Sequence, residues 1–321
     1  MVFTLGIKGV RELFPSYYLD MLYEIYTPKE VDSILKSYLT GRRTTFRLNR
    51  LKLSSEAILD ELRKRNIKID KCNYFDYVYM LREGSEKILQ QTEGYKRGYI
   101  YLQNLSSIIP AEVLDVGDTE NVLDMCAAPG GKTLKLAENM NNKGKILANE
   151  VNPIRFNRLR YNIDKLGGNN IEAINLDGRK LMLIYRDYFD RILLDAPCSG
   201  EGTIKIMSAK KIKLLKNGPF AKMQKELIVS AFNSLKSGGK MVYSTCTISP
   251  QENEEVVNYL LKKFNNADIL PIDIGFPNIK EGLIGFKEKV YDERLRKAVR
   301  IIPNEFMEGF FMCLIEKKEI L

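Results

Sequence analysis

The sequence predicts an α/β protein in which a mainly parallel sheet, covered by helices on both faces, follows a smaller α/β unit. Two observations carry this expectation. From about Asn121 onward, short β-branched or Leu-rich runs alternate with helical stretches, the pattern that parallel strands joined by crossover helices produce. The first third lacks that alternation, so the division falls into residues 1–115 and 116–321.

Taken in order, Pro15 opens a helix that runs through Tyr26. Thr27-Pro28-Lys29-Glu30 then combines an N-cap threonine, a proline at the first helical position and a glutamate at the third, a capping box for the next helix. FRLNRLKL, starting at Phe46, alternates like a strand, and Ser55–Arg65 follows as an amphipathic helix with Ile58, Leu59 and Leu62 on one face. Strands are expected at Val122–Met125, Lys145–Asn149, Ile171–Asn175, Arg191–Asp195 and Lys240–Ser244, with a last one at Phe310–Ile315. Between them, helices are expected at Pro153–Leu166, closed by Gly167-Gly168, and at Ala221–Leu235, closed by Gly238-Gly239.

Composition removes several kinds of chemistry. Among the 321 residues there is no histidine, which excludes Ser-His-Asp and Cys-His catalysis and the usual metal facial triads. The five cysteines are widely spaced and form no CxxC pair, so neither a disulfide framework nor a zinc set is expected. No apolar run approaches the roughly 18 residues of a membrane span, and the start lacks the features of a leader, so a cytoplasmic protein is expected. Fifty Lys and Arg against forty-one Asp and Glu give a net charge of +9, which makes a polyanionic partner plausible.

In a parallel α/β sheet, ligands bind beyond the carboxyl ends of the strands. That rule directs attention to Cys126–Thr133, Glu150, Asp177, Ala196–Thr203 and Thr245–Ile248, which are expected to converge on one cleft. CAAPGGKT is a strand-to-helix turn with a Gly-Gly pair, suited to close backbone approach to a ligand. A P-loop would need glycine where Cys126 stands, so that alternative fails. Glu150 at a strand end can accept both hydroxyls of a ribose, and Asp177 can accept from an exocyclic adenine amine; each alone reads first as an ordinary surface carboxylate, and only their strand-end positions together favour the ligand reading. Asp195 can bond the amine edge of a cytosine, or merely cap a turn. Cys246 alone would pass for a small buried hydrophobe, unless a cation such as Lys132 favours its thiolate. The lysine-rich stretch Lys205–Lys225, with Lys210, Lys211, Lys213, Lys216 and Lys222, is by default a solvated helix face and alternatively a phosphate contact.

RLNRLK (Arg47–Lys52), YLQNLSSIIP (Tyr101–Pro110), MCAAPGGKT, LLDAPCSGEGT, YSTCTISPQENEEVV and RIIPNEFMEGFF (Arg300–Phe311) together resemble the motif series of the Nop/Sun family of S-adenosylmethionine-dependent RNA cytosine-5 methyltransferases, in the family's order. The resemblance implies a class I, Rossmann-like methyltransferase domain behind a small N-terminal α/β RNA-binding domain. It implies that Cys246 is the nucleophile, that Cys198 helps release the methylated product, and that Asp195 and Lys132 assist. It further implies S-adenosylmethionine against Cys126, Ala127, Ala128, Pro129, Gly130, Gly131 and Lys132, with Glu150, Arg155, Asp177 and Asp195 around it. This chain has Glu150 where the family usually has aspartate, and a lysine-rich run without Trp after GEGT.

The expected partner is RNA, transfer RNA first and ribosomal RNA close behind, with the protein a monomer that needs neither metal nor membrane. Two other classes remain open on the residues: an RNA-binding or assembly factor without catalysis, and a DNA cytosine methyltransferase attacking from the Pro-Cys cysteine.

Overall fold

The computed structural model describes residues 6–52, 55–206, 208, 210–215 and 220–319. Helices α1 (Ile7–Arg11), α2 (Ser16–Ile25) and α3 (Pro28–Leu39) lead the chain. They are followed by β1 (Thr45–Leu48), α4 (Ser55–Lys64), β2 (Ile69–Lys71), β3 (Val78–Leu81), α5 (Glu86–Gln90), α6 (Glu93–Lys96), β4 (Ile100–Leu102) and α7 (Leu105–Val113). Then come β5 (Asn121–Asp124), α8 (Gly131–Asn139), β6 (Lys145–Asn149), α9 (Pro153–Leu166), β7 (Ile171–Ile174) and β8 (Phe189–Asp195). The last third holds α10 (Ala221–Ser234), β9 (Leu235–Thr245), α11 (Glu254–Lys263), β10 (Ala267–Leu270) and β11 (Ile279–Glu281). It closes with β12 (Gly285–Phe286), β13 (Lys289–Val290), β14 (Val299–Ile301) and β15 (Phe310–Lys317).

Two compact units result, and neither is one continuous stretch. The first gathers Arg43–Asp195, Val229–Val242 and Glu316–Leu321; the second gathers Met1–Arg42, Ala196–Ile228 and Tyr243–Ile315.

The first unit carries an antiparallel sheet in the order β2-β3-β1-β4. Ile58 and Leu62 of α4 pack with Phe46, Leu48, Leu81 and Ile100, burying the apolar stripe read from the sequence. The strand expected over FRLNRLKL stops at Leu48. There the Asn49 amide donates to the carbonyls of Gly98 and Leu166, 2.8 Å each, and its oxygen accepts from Leu51 N–H, which turns the chain. All four residues of β1 are buried, because the strand is flanked on both edges and covered on both faces.

The same unit holds the parallel strands in the order β8-β5-β6-β7, with Asp124 opposite Ala148 on one side and Leu193 on the other. This register brings the ends of β5 and β6 and the start of their following loops to one edge of the sheet. Helix α9 ends where Gly167, at φ 82°, takes the left-handed conformation that a Cβ disfavours. By contrast, Gly238-Gly239 does not close α10. That helix ends at Ser234, and the two glycines lie inside β9, with Gly238 at φ 74°. The carbonyls of Ser234 and Leu235 accept from Tyr188 N–H at 2.9 Å and Lys317 Nζ at 2.7 Å, so the backbone passes directly from helix to strand.

In the second unit, Val10, Tyr18, Leu22, Val31, Ile34 and Leu35 form the core of α1–α3. Thr27 and Glu30 exchange the two bonds of the expected capping box, a motif worth about 1 kcal/mol. Strands β11, β14 and β15 run antiparallel, β10 pairs with β15, and the end of β9 lies beside β15. Among its described residues before Ala221, the lysine-rich stretch is not a helix face. Ile206 N–H donates to Tyr38 and Ile212 N–H to Leu13, 2.8 Å each, so its apolar residues are anchored one at a time on the helical core. Lys216 lies outside the described residues.

Among the described residues no helix is long and apolar enough to cross a membrane, and no group of His, Cys, Asp and Glu is arranged to hold a metal ion.

Candidate active site

The turn after β5 is held from outside by side chains that take up its carbonyls. Arg155 donates to Ala128 at 2.7 Å, Asn162 to Pro129 at 2.7 Å, Asn149 to Met125 at 3.0 Å and Arg47 to Gly131 at 3.2 Å. The Ala128–Pro129 peptide is cis, and Gly130 at φ 108° caps α8. A Cβ on Gly131 would lie 2.8 Å from the Tyr101 ring, so the second glycine of the pair is required by packing from β4. Arg47 also pairs with Glu138, both fully buried.

Carboxylates occupy the neighbouring strand ends. Glu150, only 3 % exposed, accepts from Asn152 N–H at 2.9 Å and faces Arg155 at 3.4 Å; its Oε2 has no hydrogen-bond partner among the described residues. Asp124 accepts from the Thr133 hydroxyl at 2.7 Å through Oδ2, while Oδ1 is likewise buried without a partner. Burial pushes the Asp124 carboxyl up to about 7. Asp177 is gripped by the Arg179 side chain and N–H, which holds its carboxyl below the usual range. Lys132 Nζ donates to Asp195 Oδ2 at 2.7 Å and to Ser107 Oγ at 2.6 Å. Cys126 is half-buried at the start of the turn, and burial with the nearby Asp124 carboxylate pushes its thiol well up, which keeps it protonated.

The two other cysteines of interest lie in the second unit. Cys198 and Cys246 follow β8 and β9, and their sulfurs stand 3.4 Å apart, both half-buried. The loops that carry them are tied by Ala196 N–H to Ser244 at 2.8 Å, by Gly202 N–H to Cys246 at 2.9 Å, and by the Ser199 and Thr247 hydroxyls at 3.0 Å. Arg300, buried against Glu254, donates to the Ile248 carbonyl at 2.9 Å, and Arg42 donates to Gly202 at 2.9 Å. A Cβ on Gly202 would meet the Gly309 carbonyl at 2.0 Å, so GEG and MEG are glycine-bearing because two backbones touch.

The structure therefore brings Lys132 and Asp195 together, brings Cys198 and Cys246 together, and surrounds the Cys126–Lys132 turn with Glu150 and Arg155. Asp177 is tied up locally. Ser107, Asp124, Glu201 and Glu252 were not singled out by sequence reasoning, although each falls within or beside a quoted motif. A cavity of about 480 Å³ opens at the opposite, amino ends of β5–β8, lined by Lys145, Asn170 and Tyr188 among others, and contains none of the expected residues.

Residues 111–316 match the family model described as 16S rRNA methyltransferase RsmB/F. The chain is 34 % identical over 311 residues to the 28S rRNA (cytosine(4447)-C(5))-methyltransferase of Homo sapiens, covering 95 % of this chain and 38 % of that protein. It is 34 % identical over 316 residues to ribosomal RNA small subunit methyltransferase F of Vibrio atlanticus, covering 88 % of this chain and 66 % of that one. The chain thus spans between about two fifths and two thirds of the length of these relatives. Among solved structures, a methyltransferase homologue from Pyrococcus horikoshii superposes with a TM-score of 0.82 at 30 % identity, covering 97 % of this chain and 98 % of that one. NSun6 from the same organism, solved with SFG, gives 0.79 at 25 % identity, over 96 % of this chain and all of that one. The chain belongs to the RsmB/F family of methyltransferases, within the Nop/Sun group.

Proposed function

We propose that this family member methylates carbon 5 of a cytosine in RNA, with S-adenosylmethionine as donor and a cysteine adduct as intermediate. The pair of thiols 3.4 Å apart on the loops after β8 and β9 carries the proposal, since two adjacent sulfurs suit a reaction that both forms and breaks a carbon–sulfur bond. The turn after β5 fits the donor. Glu150 Oε2 is a buried acceptor suited to a ribose hydroxyl, and the turn's carbonyls are already occupied from outside. Cys126–Lys132, Glu150 and Arg155 would hold the donor, with Asp177 at the adenine and Asp195 beside the methyl group. When bound, the donor supplies an electrophilic methyl group.

Cytosine carbon 5 is a weak nucleophile. Cys246, as thiolate, would form a bond to carbon 6, with Asp195 assisting protonation of the ring, so that carbon 5 becomes the nucleophile toward the methyl group that the donor would supply, the methyl–sulfur bond of the donor breaking as the new bond forms. Loss of the carbon 5 proton restores the ring double bond as the sulfur–carbon bond breaks. Cys198, directly or through water, serves this last stage, and Lys132 favours thiolate formation while balancing Asp195.

The target base must be unpaired or flipped out for carbon 6 to be reached. Residues 1–115 would contribute RNA recognition and residues 116–321 the transfer, in a cytoplasmic monomer. Ribosomal RNA takes precedence over transfer RNA because the relatives are named for it. Incubation with tritiated S-adenosylmethionine and separated RNA classes tests the reading: label in a ribosomal RNA, lost in Cys246→Ala, supports it. Absence of label in every class from a chain that binds the donor would remove it.

A further inference from the structure

We propose that Ser107 is a positioning residue for Lys132: its hydroxyl holds the ammonium group in place while Asp195 turns to the cytosine. Lys132 Nζ stands 2.6 Å from Ser107 Oγ and 2.7 Å from Asp195 Oδ2, so a neutral oxygen and a carboxylate share one ammonium group. Lys132 is the second residue of α8, and the amino end of a helix disfavours a cation. The two acceptors offset that, but they differ chemically. Asp195, on the methyl-transfer reading, has to redirect its carboxylate toward the cytosine ring as the adduct forms. A serine hydroxyl does not titrate, so its lone pair stays on the ammonium throughout.

Ser107 is itself fixed from several sides. It is the third residue of α7, whose N-cap Asn104 accepts from Ser106 N–H through its side chain and from Ser107 N–H through its carbonyl, 3.0 Å each. The Gln103 amide donates to the Ser107 carbonyl at 3.1 Å, and Gln103 Oε1 accepts from Arg47 Nε at 2.9 Å. Arg47 also donates to the carbonyl of Gly131, the residue before Lys132, at 3.2 Å. One continuous set of bonds thus fixes both the backbone that carries the ammonium group and the hydroxyl that receives it. Between these restraints the long lysine side chain, 12 % exposed, keeps one direction. The entropy of ordering it is lost on folding rather than during the reaction.

The effect on turnover rests on the methyl-transfer reading, but the restraint on Lys132 does not. Acylation of the full chain by sulfo-N-hydroxysuccinimide acetate, mapped at Lys132 by peptide mass spectrometry, reads that restraint directly. Ser107→Ala should raise the rate at Lys132 by roughly threefold to tenfold, the range that one lost hydrogen bond corresponds to, with the other lysines unchanged. Ser107→Thr, which keeps a hydroxyl, should return it to the wild-type rate. Equal rates at Lys132 in the wild type and Ser107→Ala would overturn the proposal. In methylation, Ser107→Ala should lower kcat by roughly tenfold with KM for the donor unchanged, and Ser107→Thr should restore kcat. A raised donor KM that Ser107→Thr does not repair would mark a packing role instead and also overturn it. The acylation difference in a protein that methylates no RNA would sink the methyl-transfer reading and leave the Ser107 restraint standing.

Discussion

The donor turn and the thiol loops place their charges at different distances from the groups they support. Around the turn after β5, charge is matched by charge: Arg47 with Glu138, Lys132 with Asp195, Arg155 with Glu150. Around the thiols, the supports nearest the sulfurs are hydroxyls, backbone N–H groups and an amide, two buried carboxyl oxygens have no hydrogen-bond partner among the described residues, and the arginines, Arg42 and Arg300, act one step further out, on the Gly202 and Ile248 carbonyls. A turn braced by ion pairs suits a cationic ligand whose position must not vary. On the proposed mechanism, neutral hydrogen bonds next to the sulfurs would let Cys246 pass between thiolate, adduct and thiol with no ion pair to break.

The largest test of this contrast removes a sulfur. Cys246→Ala should cost at least about 10⁴-fold in methyl transfer while leaving donor affinity intact, measured by single-turnover rates and calorimetric titration. Next, breaking a buried pair on either side should cost stability rather than chemistry. Arg47→Met in the first unit leaves buried Glu138 with only Lys135, at 4.0 Å, and Arg300→Met in the second leaves buried Glu254 without its arginine; both should be destabilising, by about 3–5 kcal/mol for Arg300→Met and less for Arg47→Met, in denaturant unfolding. If the Arg47 pair alone proved dispensable, the donor turn would not be held as described.

A smaller effect is expected from Gly202→Ala, since the new methyl group must displace the Gly309 backbone. About 1–3 kcal/mol of destabilisation should appear, together with a changed cross-linking rate between Cys198 and Cys246 under diamide. The last is a pH effect. Burial holds the Asp124 carboxyl above its ordinary value of 3.8, at about 7, so the native state binds that proton more tightly than the unfolded chain. The stability this provides is complete below about pH 4 and is lost as the pH rises through 7. Asp124→Asn should flatten that part of the profile of melting temperature against pH, and an unchanged slope would remove the assignment.

Much of this arrangement was legible in the sequence, for identifiable reasons. Strand Lys145–Asn149 and helix Pro153–Leu166 were found at their observed bounds, because apolar periodicity and a closing glycine agree there. Gly238-Gly239 misled, since a glycine pair after an apolar helix signals a stop whether the chain then turns or continues as a strand. FRLNRLKL misled because Asn49 looks like another polar residue of an alternating strand, whereas its amide is fixed by carbonyls 49 and 117 residues further along the chain. Polar partners of the site escaped for the same reason. Ser107 sits inside a recognisable motif, but only folding reveals that it meets Lys132.

The central claim, that Cys246 attacks and Cys198 releases, is tested most directly by trapping the intermediate. Cys198→Ala, incubated with S-adenosylmethionine and substrate RNA and run on a denaturing gel, should give a protein–RNA adduct that disappears when Cys246 is also replaced by Ala. An adduct that survives loss of Cys246, or none in Cys198→Ala while methylation continues at the wild-type rate, would contradict the account.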